Sequence, residues 1–370
     1  MKKELSVYHL VVITVFVGLL LSFAVVYMAD MLLGEETPTP CYDGSSFEEI
    51  DPLASFHRAV YQNETMLSVI HEYQYRLFGI VNSRLVVAGQ NDFLFELKDE
   101  HTGYEYLTDY IGASPFSEAE SAAILEGLQR RRDSYAERGA EYLLVILPNA
   151  QTVYSECMPA YCGEISDSTR LALLSTYLAD RGFYDFLDVT EELKAAKQDG
   201  LLYNNTENTL NSLGLYYVYR TIYDHFAPFV SENAPPLERE ALTFHRHLTT
   251  GKSAARKAGL AQVVKNQTVS LSNATELNYR FVYNEWDATT TIRLPFYIPS
   301  EVSGSPELLL QFSGAWDRLQ IEPFFSNTFS QVTYQTSLQD DLRIFEAAAP
   351  RVVIQFVYES ELSLLIDALK

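Results

Sequence analysis

The first strong pattern along the chain is an unbroken apolar run. From Val7 to Met28 it reads VYHLVVITVFVGLLLSFAVVYM, with His9 its one candidate for charge. At about 1.5 Å per residue the run spans about 33 Å, enough to cross a bilayer, so it predicts an N-terminal transmembrane helix with the lipid bilayer as a partner. Lys2 and Lys3 precede it, while Asp30, Glu35 and Glu36 follow it. The positive-inside rule then predicts a single-pass protein of the cell membrane, its N-terminus cytoplasmic and its main part extracytoplasmic. A cleaved signal peptide is the competing reading. Against it, the run outlasts a signal-peptide core, and Tyr27 would take the −3 position for a cut after Ala29, where a small residue is wanted. The TPTP stretch from Thr37 to Pro40 reads as a stiff spacer.

Beyond the spacer, apolar positions switch between strand and helix spacing. Leu85 to Ala88 is a short strand ending at Gly89, and Phe93 to Phe95 a second one. Ser117 with Glu120 three residues on predicts a capping box, and Ala122, Ala123, Leu125, Leu128 and Tyr135 continue a helix that Gly139 closes. Tyr142 to Leu147, stopped by Pro148, is an uninterrupted apolar strand of the kind buried on both faces of a parallel sheet. Thr169 to Arg181 reads as a helix ending at Gly182, then Phe183 to Val189 as a strand and Glu191 to Lys197 as a short helix. Tyr216 to Phe226 is a further helix, and Leu308 to Phe312 and Arg351 to Tyr358 are later strands. This βαβ rhythm predicts an α/β fold with a doubly wound parallel sheet. Residues 235–305 break it: between Arg239 and Lys265 six basic residues (Arg239, Arg246, Lys252, Arg256, Lys257 and Lys265) face one acid, Glu240, and a Thr- and Tyr-containing stretch without helical period follows. We read there an inserted β-rich segment, its charge either meeting an anionic partner or forming a solvated helix face. The expected organisation is a tip and anchor over 1–34, a spacer and leading helical segment over 35–79, and one domain over 80–370.

Charge narrows the function. The 370 residues carry 27 Lys and Arg against 49 Asp and Glu, a net charge of −22, which excludes a nucleic-acid-binding surface. Cys157 and Cys162 sit five apart and predict a small disulfide loop in an oxidising compartment, with free buried thiols as the alternative; Cys41 is left over. Without a CxxC or a nearby His they make a poor zinc pattern, and no metal is expected. The chain has no GxGxxG, Walker loop, HExxH or GxSxG, so no cofactor is expected either.

Four blocks carry a resemblance. VVAGQNDFLFE (Val86 to Glu96), LLVILPNAQTVYSECMP (Leu143 to Pro159), YNNTENTLNSLGLYYVY (Tyr203 to Tyr219) and the closing VVIQFVYESEL resemble, in that order, the alginate O-acetyltransferase AlgJ/AlgX family and the related DHHW proteins. Gly89, Leu94, Phe95, Pro148, Asn149, Val153, Tyr154 and Pro159 keep the places of the family's Gly-Lys-Asp-Gly-Trp-Leu-Phe and Pro-Asn-Lys blocks. The resemblance implies an SGNH-hydrolase-like domain outside the membrane. Its partners would be a membrane-bound O-acyltransferase and an exported polysaccharide. It makes Gly89, Asn91, Asn149 and Asn211 candidates for holding substrate or an oxyanion.

The family's Asp-x-His-Trp-Asn block corresponds to Glu207, Asn208, Thr209, Leu210 and Asn211, so Thr209 stands where the histidine base is expected. Glu207 keeps an orienting carboxylate, but a hydroxyl does not titrate near neutral pH and cannot relay the nucleophile's proton. The Asp-Ser-Phe block corresponds to Gln311-Phe312-Ser313-Gly314, leaving Ser313 as candidate nucleophile. We therefore expect a catalytically degenerate binding or scaffold member of a polysaccharide acetylation system. One alternative is an active serine-dependent transferase or acetylesterase with a base relocated to His225, His245 or His247. Another is a cell-surface interaction protein that retains only the fold.

Overall fold

Strand β3 (Glu141–Leu147) shows why the sequence folds as it does. Every residue after Glu141 is buried, and their side chains divide by alternation: Leu143, Val145 and Leu147 enter one apolar cluster, Tyr142, Leu144 and Ile146 another. A strand with two buried faces needs cover on both, which is the demand a doubly wound sheet meets. The computed structural model describes residues 64–81, 83–100, 102–230, 232, 234–272, 297–299, 305–312, 321–335 and 337–369. The apolar run at Val7 to Met28, Cys41 and the candidate nucleophile Ser313 lie outside the described residues; among those described, no helix is long and apolar enough to cross a membrane.

The remaining strands are β1 (Val86–Ala88), β2 (Leu94–Glu96), β4 (Phe186–Asp188), β5 (Phe244–Thr249), β6 (Asn266–Leu271), β7 (Tyr297–Pro299), β8 (Glu307–Phe312), β9 (Gln331–Gln335) and β10 (Val352–Tyr358). The helices are α1 (Glu64–Phe78), α2 (Tyr106–Tyr110), α3 (Glu118–Ala136), α4 (Ala150–Val153), α5 (Arg170–Asp180), α6 (Thr190–Ala196), α7 (Ser212–Phe226), α8 (Ser253–Lys257), α9 (Glu322–Phe325), α10 (Leu342–Ala348) and α11 (Leu364–Ala368). The main sheet has the order β4-β3-β10-β8-β9-β7, parallel except for β7, which runs antiparallel to β9. Residues of α3, α5, α10 and α11 pack on one face; residues of α6, α7 and α9 pack on the other. The helices thus lie on both faces, as the βαβ rhythm predicts. β1 and β2 form a separate antiparallel pair, as do β5 and β6.

Capping explains several boundaries. The predicted box is present: Ser117 Oγ accepts from Glu120 N at 3.2 Å, and Glu120 Oε2 accepts from Ser117 N at 2.8 Å. α7 starts four residues before the expected Tyr216 because Asn211 Oδ1 accepts from Leu213 N at 3.0 Å and Gly214 N at 3.2 Å, satisfying the first free donors. The expected strand over Phe183 to Val189 shrinks to β4, since Phe183 N still bonds Leu178 O at 3.0 Å in closing α5 and α6 begins at Thr190. The inserted segment contains the hairpin β5–β6 and the short α8, whereas β7 belongs to the main sheet. Its basic residues are therefore spread over strand, turn and helix and do not form one solvated helix face.

The disulfide expected between Cys157 and Cys162 is not formed. Both are free thiols, 3% and 7% exposed, each closing its own short turn (Ser155–Cys157 and Ala160–Cys162) on either side of Pro159. They serve as small apolar members of the main core, where burial pushes both thiols up from their ordinary pKa.

Candidate functional site

In open parallel sheets, sites form beyond the carboxyl ends of the strands, and here β3 and β10 end side by side, with Leu147 opposite Tyr358. The next residues, Pro148-Asn149 and Glu359, meet directly. Glu359 is 1% exposed, and its Oε2 accepts from Asn149 N and from Thr152 Oγ1, each at 2.7 Å. Burial, reinforced by Asp109 and Asp188, pushes its carboxyl up to about 8 against the pull of those two hydrogen bonds. Near neutral pH it therefore mostly carries a proton.

Asn149 extends this contact. Its Oδ1 accepts from Asn208 Nδ2 at 3.0 Å, and its Nδ2 donates to Tyr104 OH at 3.4 Å. Tyr104 OH in turn donates to Asp109 Oδ2 at 2.5 Å, while Asp109 Oδ1 accepts from Arg170 N at 2.9 Å. The Asp109 carboxyl is raised, by burial above all. Asn208 Oδ1 accepts from Ala150 N at 2.6 Å, so the 203–211 loop caps α4 from outside. Five chain segments thus share one buried polar network.

The loop places Thr209 and Glu207 together. Asn204 N bonds Thr209 O at 3.0 Å and Thr209 N bonds Glu207 O at 2.8 Å, folding the loop on itself. The Thr209 hydroxyl, 7% exposed, accepts from Asn204 Nδ2 at 2.8 Å and donates to Glu207 Oε2 at 3.4 Å. The carboxylate orients its neighbour, but that neighbour has no basic nitrogen. Asn211 is spent on the backbone: besides capping α7, its Nδ2 donates to Leu201 O at 2.7 Å. Asn91 stands apart, exposed, with a left-handed backbone (φ 57°) and its Nδ2 3.7 Å from Cys157 Sγ.

Gly89 has a packing reason to be glycine. Its N–H donates to Phe93 O at 2.8 Å, and a Cβ there would lie 2.6 Å from both Cys157 O and a Phe95 ring carbon. Gly89→Ala is expected to destabilise the domain by about 1–3 kcal/mol through this overlap, read as a lower urea midpoint at unchanged slope.

The proposed relocated bases are elsewhere. His225 is exposed near the end of α7, edge-on to Phe226 at 5.0 Å, and fourteen residues of helix put it about 20 Å from Asn211. His245 and His247 are exposed on β5. Sequence reasoning passed over Tyr104, Asp109, Thr152 and Glu359. Their one signal in the sequence is Glu359, an acid placed directly after the largely apolar strand VVIQFVY.

No protein-family model matches this chain, and no curated protein matches it. Solved structures do. PatB1 of Bacillus cereus, with a sulfonyl adduct, is 11% identical, covers 76% of this chain and 97% of its own, and superposes with a TM-score of 0.54. A DHHW family protein from Eubacterium siraeum is 10% identical, with 76% and 98% covered and a TM-score of 0.50. The O-acetyltransferase domain of Pseudomonas putida AlgJ is 14% identical, with 75% and 92% covered and a TM-score of 0.47. At such identities the likeness is one of fold, shared with PatB1 and with a DHHW family protein, one of the groups that the ordered sequence blocks resemble.

Proposed function

We propose that this chain is a membrane-anchored, extracytoplasmic SGNH-hydrolase-like protein that serves the O-acetylation of an exported or cell-envelope polysaccharide as a binding or scaffolding member. It would work beside a membrane-bound O-acyltransferase, held there by the apolar run at Val7 to Met28. The observation that carries the reading is Thr209. It occupies the place of the resembling family's histidine, and its buried hydroxyl is tied to Asn204 and Glu207. Loss of a general base costs on the order of 10²–10⁴ in rate, and more where the catalytic groups act as a unit.

The test is made in the native host. Ser313→Ala is expected to leave polymer acetylation unchanged, measured by NMR of the isolated polysaccharide, whereas deletion of residues 42–370 abolishes it. Loss of acetylation in Ser313→Ala would instead establish an active serine enzyme with a base drawn from elsewhere. Normal acetylation after the deletion would leave a cell-surface interaction protein that keeps only the fold.

A further inference from the structure

Strand β5 carries two histidines that the reading above does not use. Side chains alternate along a strand, so His245 and His247 share one face, opposite to Phe244, Arg246 and Leu248. On the other face Phe244 is half-buried, opposite Leu271 and 6.1 Å from the Tyr216 ring, while Arg246 and Leu248 are exposed like the histidines. The histidine face looks to solvent, and both rings are exposed. Their centroids are 6.4 Å apart with planes inclined at 35°. Across the ladder, Ser270 Oγ lies 2.6 Å from His247 Nε2.

We propose that His245 and His247, with Ser270 behind them, form a solvent-facing site for one divalent transition-metal ion of the Cu²⁺, Ni²⁺ or Zn²⁺ type. An ion bound about 2.0–2.1 Å from a ring nitrogen lies about 3.2 Å from that ring's centre. One ion therefore bridges centroids separated by up to about 6.4 Å, and the observed spacing is the open end of that range. Rotation about the torsions of two exposed side chains closes it further. Ser270 supplies the outer contact that metal-bound imidazoles use: when His247 Nε2–H donates to the hydroxyl, the lone pair of Nδ1 is left for the metal. Two imidazoles suit the borderline-soft ions at the upper end of the Irving–Williams order, so Cu²⁺ binds most tightly, and water fills the remaining positions. Among the described residues no cluster of three or more His, Cys, Asp or Glu competes for such an ion. The site is independent of whether the chain takes part in acetylation.

The full-length protein in detergent, titrated calorimetrically with Cu²⁺ or Zn²⁺ alone, is expected to show a Cu²⁺ site with nitrogen hyperfine structure in its EPR spectrum. His245→Ala and His247→Ala should each weaken that site at least tenfold, and Ser270→Ala by up to about tenfold. His225→Ala, an exposed imidazole elsewhere, should leave it unchanged. All four positions lie on the surface or at the hairpin edge, and melting curves confirm that each variant is folded. Absence of a Cu²⁺ site, or a site that survives in the folded His245→Ala/His247→Ala double variant, overturns the proposal.

Discussion

Glu359→Gln is expected to raise the melting temperature at pH 8 by about 10 °C while leaving it nearly unchanged below pH 4.5. The ordinary carboxyl titrates at 4.5, and in the folded protein burial pushes Glu359 up to about 8. Between these values the folded chain holds a proton that the unfolded chain has released. Stability attributable to this group is therefore fully present below 4.5 and falls as pH rises through the window towards 8. At about 1.4 kcal/mol per pH unit the loss is on the order of 4–5 kcal/mol by pH 8. Glutamine keeps an acceptor for Asn149 N and Thr152 Oγ1 and has no charge to bury, so it follows the protonated wild type throughout. A change of that size moves the midpoint by about 10 °C in a domain this large. Asp109, also raised by burial, slopes the same way and leaves a residual pH dependence in the variant. Melting curves of both proteins at pH 4.5, 6 and 8 decide the matter: parallel pH profiles would show that the Glu359 proton contributes nothing.

The same proton bears on what the strand ends can do. Glu359 and Asp109 are buried within one network, and ionising both would set like charges against each other in a poorly solvated place. Asn149 holds three partners at once. Those partners are all protein groups: Asn208, Tyr104 and, through the backbone N–H, Glu359 itself. Gly89 N–H, Asn211 and the Thr209 hydroxyl are likewise committed within the chain. These internal hydrogen bonds hold the strand ends and the 203–211 loop in one arrangement.

Much of the fold was legible because its signals are local. β3 carries an apolar run stopped by Pro148, and β10, apolar except for Gln355, follows Pro350; strands of that kind have little choice but a twice-covered sheet position. The capping box at Ser117 needs only its own four residues. The readings that changed depend on contacts far apart in sequence. Whether Cys157 pairs with Cys162 is decided by the core that each enters, not by their spacing. The start of α7 turns on Asn211, which a search for periodic apolar residues passes over. The Glu359 contacts to Asn149 and Thr152 close over separations of 210 and 207 residues, which no window of sequence displays. Thr209 is the reverse case: its departure from the family block was plain in sequence, while its burial and two partners required the fold.

Arg131 and Arg132 are adjacent and of one type, yet we expect Arg131→Met to cost about 3–5 kcal/mol and Arg132→Ala less than about 1 kcal/mol. Gln355 of β10, Gln311 of β8 and Gln335 of β9 stand in register on three neighbouring strands, each at most 3% exposed. Buried amides need partners, and α3 brings one: Arg131, 5% exposed, donates to Gln355 Oε1 at 3.1 Å, Asp340 Oδ2 at 3.2 Å and Ala368 O at 3.0 Å. Tyr142 OH shares Gln355 Oε1 at 2.5 Å, and Tyr135 OH reaches Asp340 Oδ1 at 2.6 Å. Methionine fills the volume but leaves Asp340 without its countercharge and Ala368 O without its donor. Arg132 pairs with Asp133 at 2.8 Å, where both side chains are at least 36% exposed and water replaces whatever is lost. Urea denaturation of the two variants measures the difference. Removing a partner as well supplies the internal control: Arg131→Met combined with Asp340→Asn should recover part of the loss, because the unpaired carboxylate is then gone. Equal, small effects for the two arginines would mean that the strands ending at the site do not depend on this network, and that the apolar faces of β8 and β10 suffice to hold them in register.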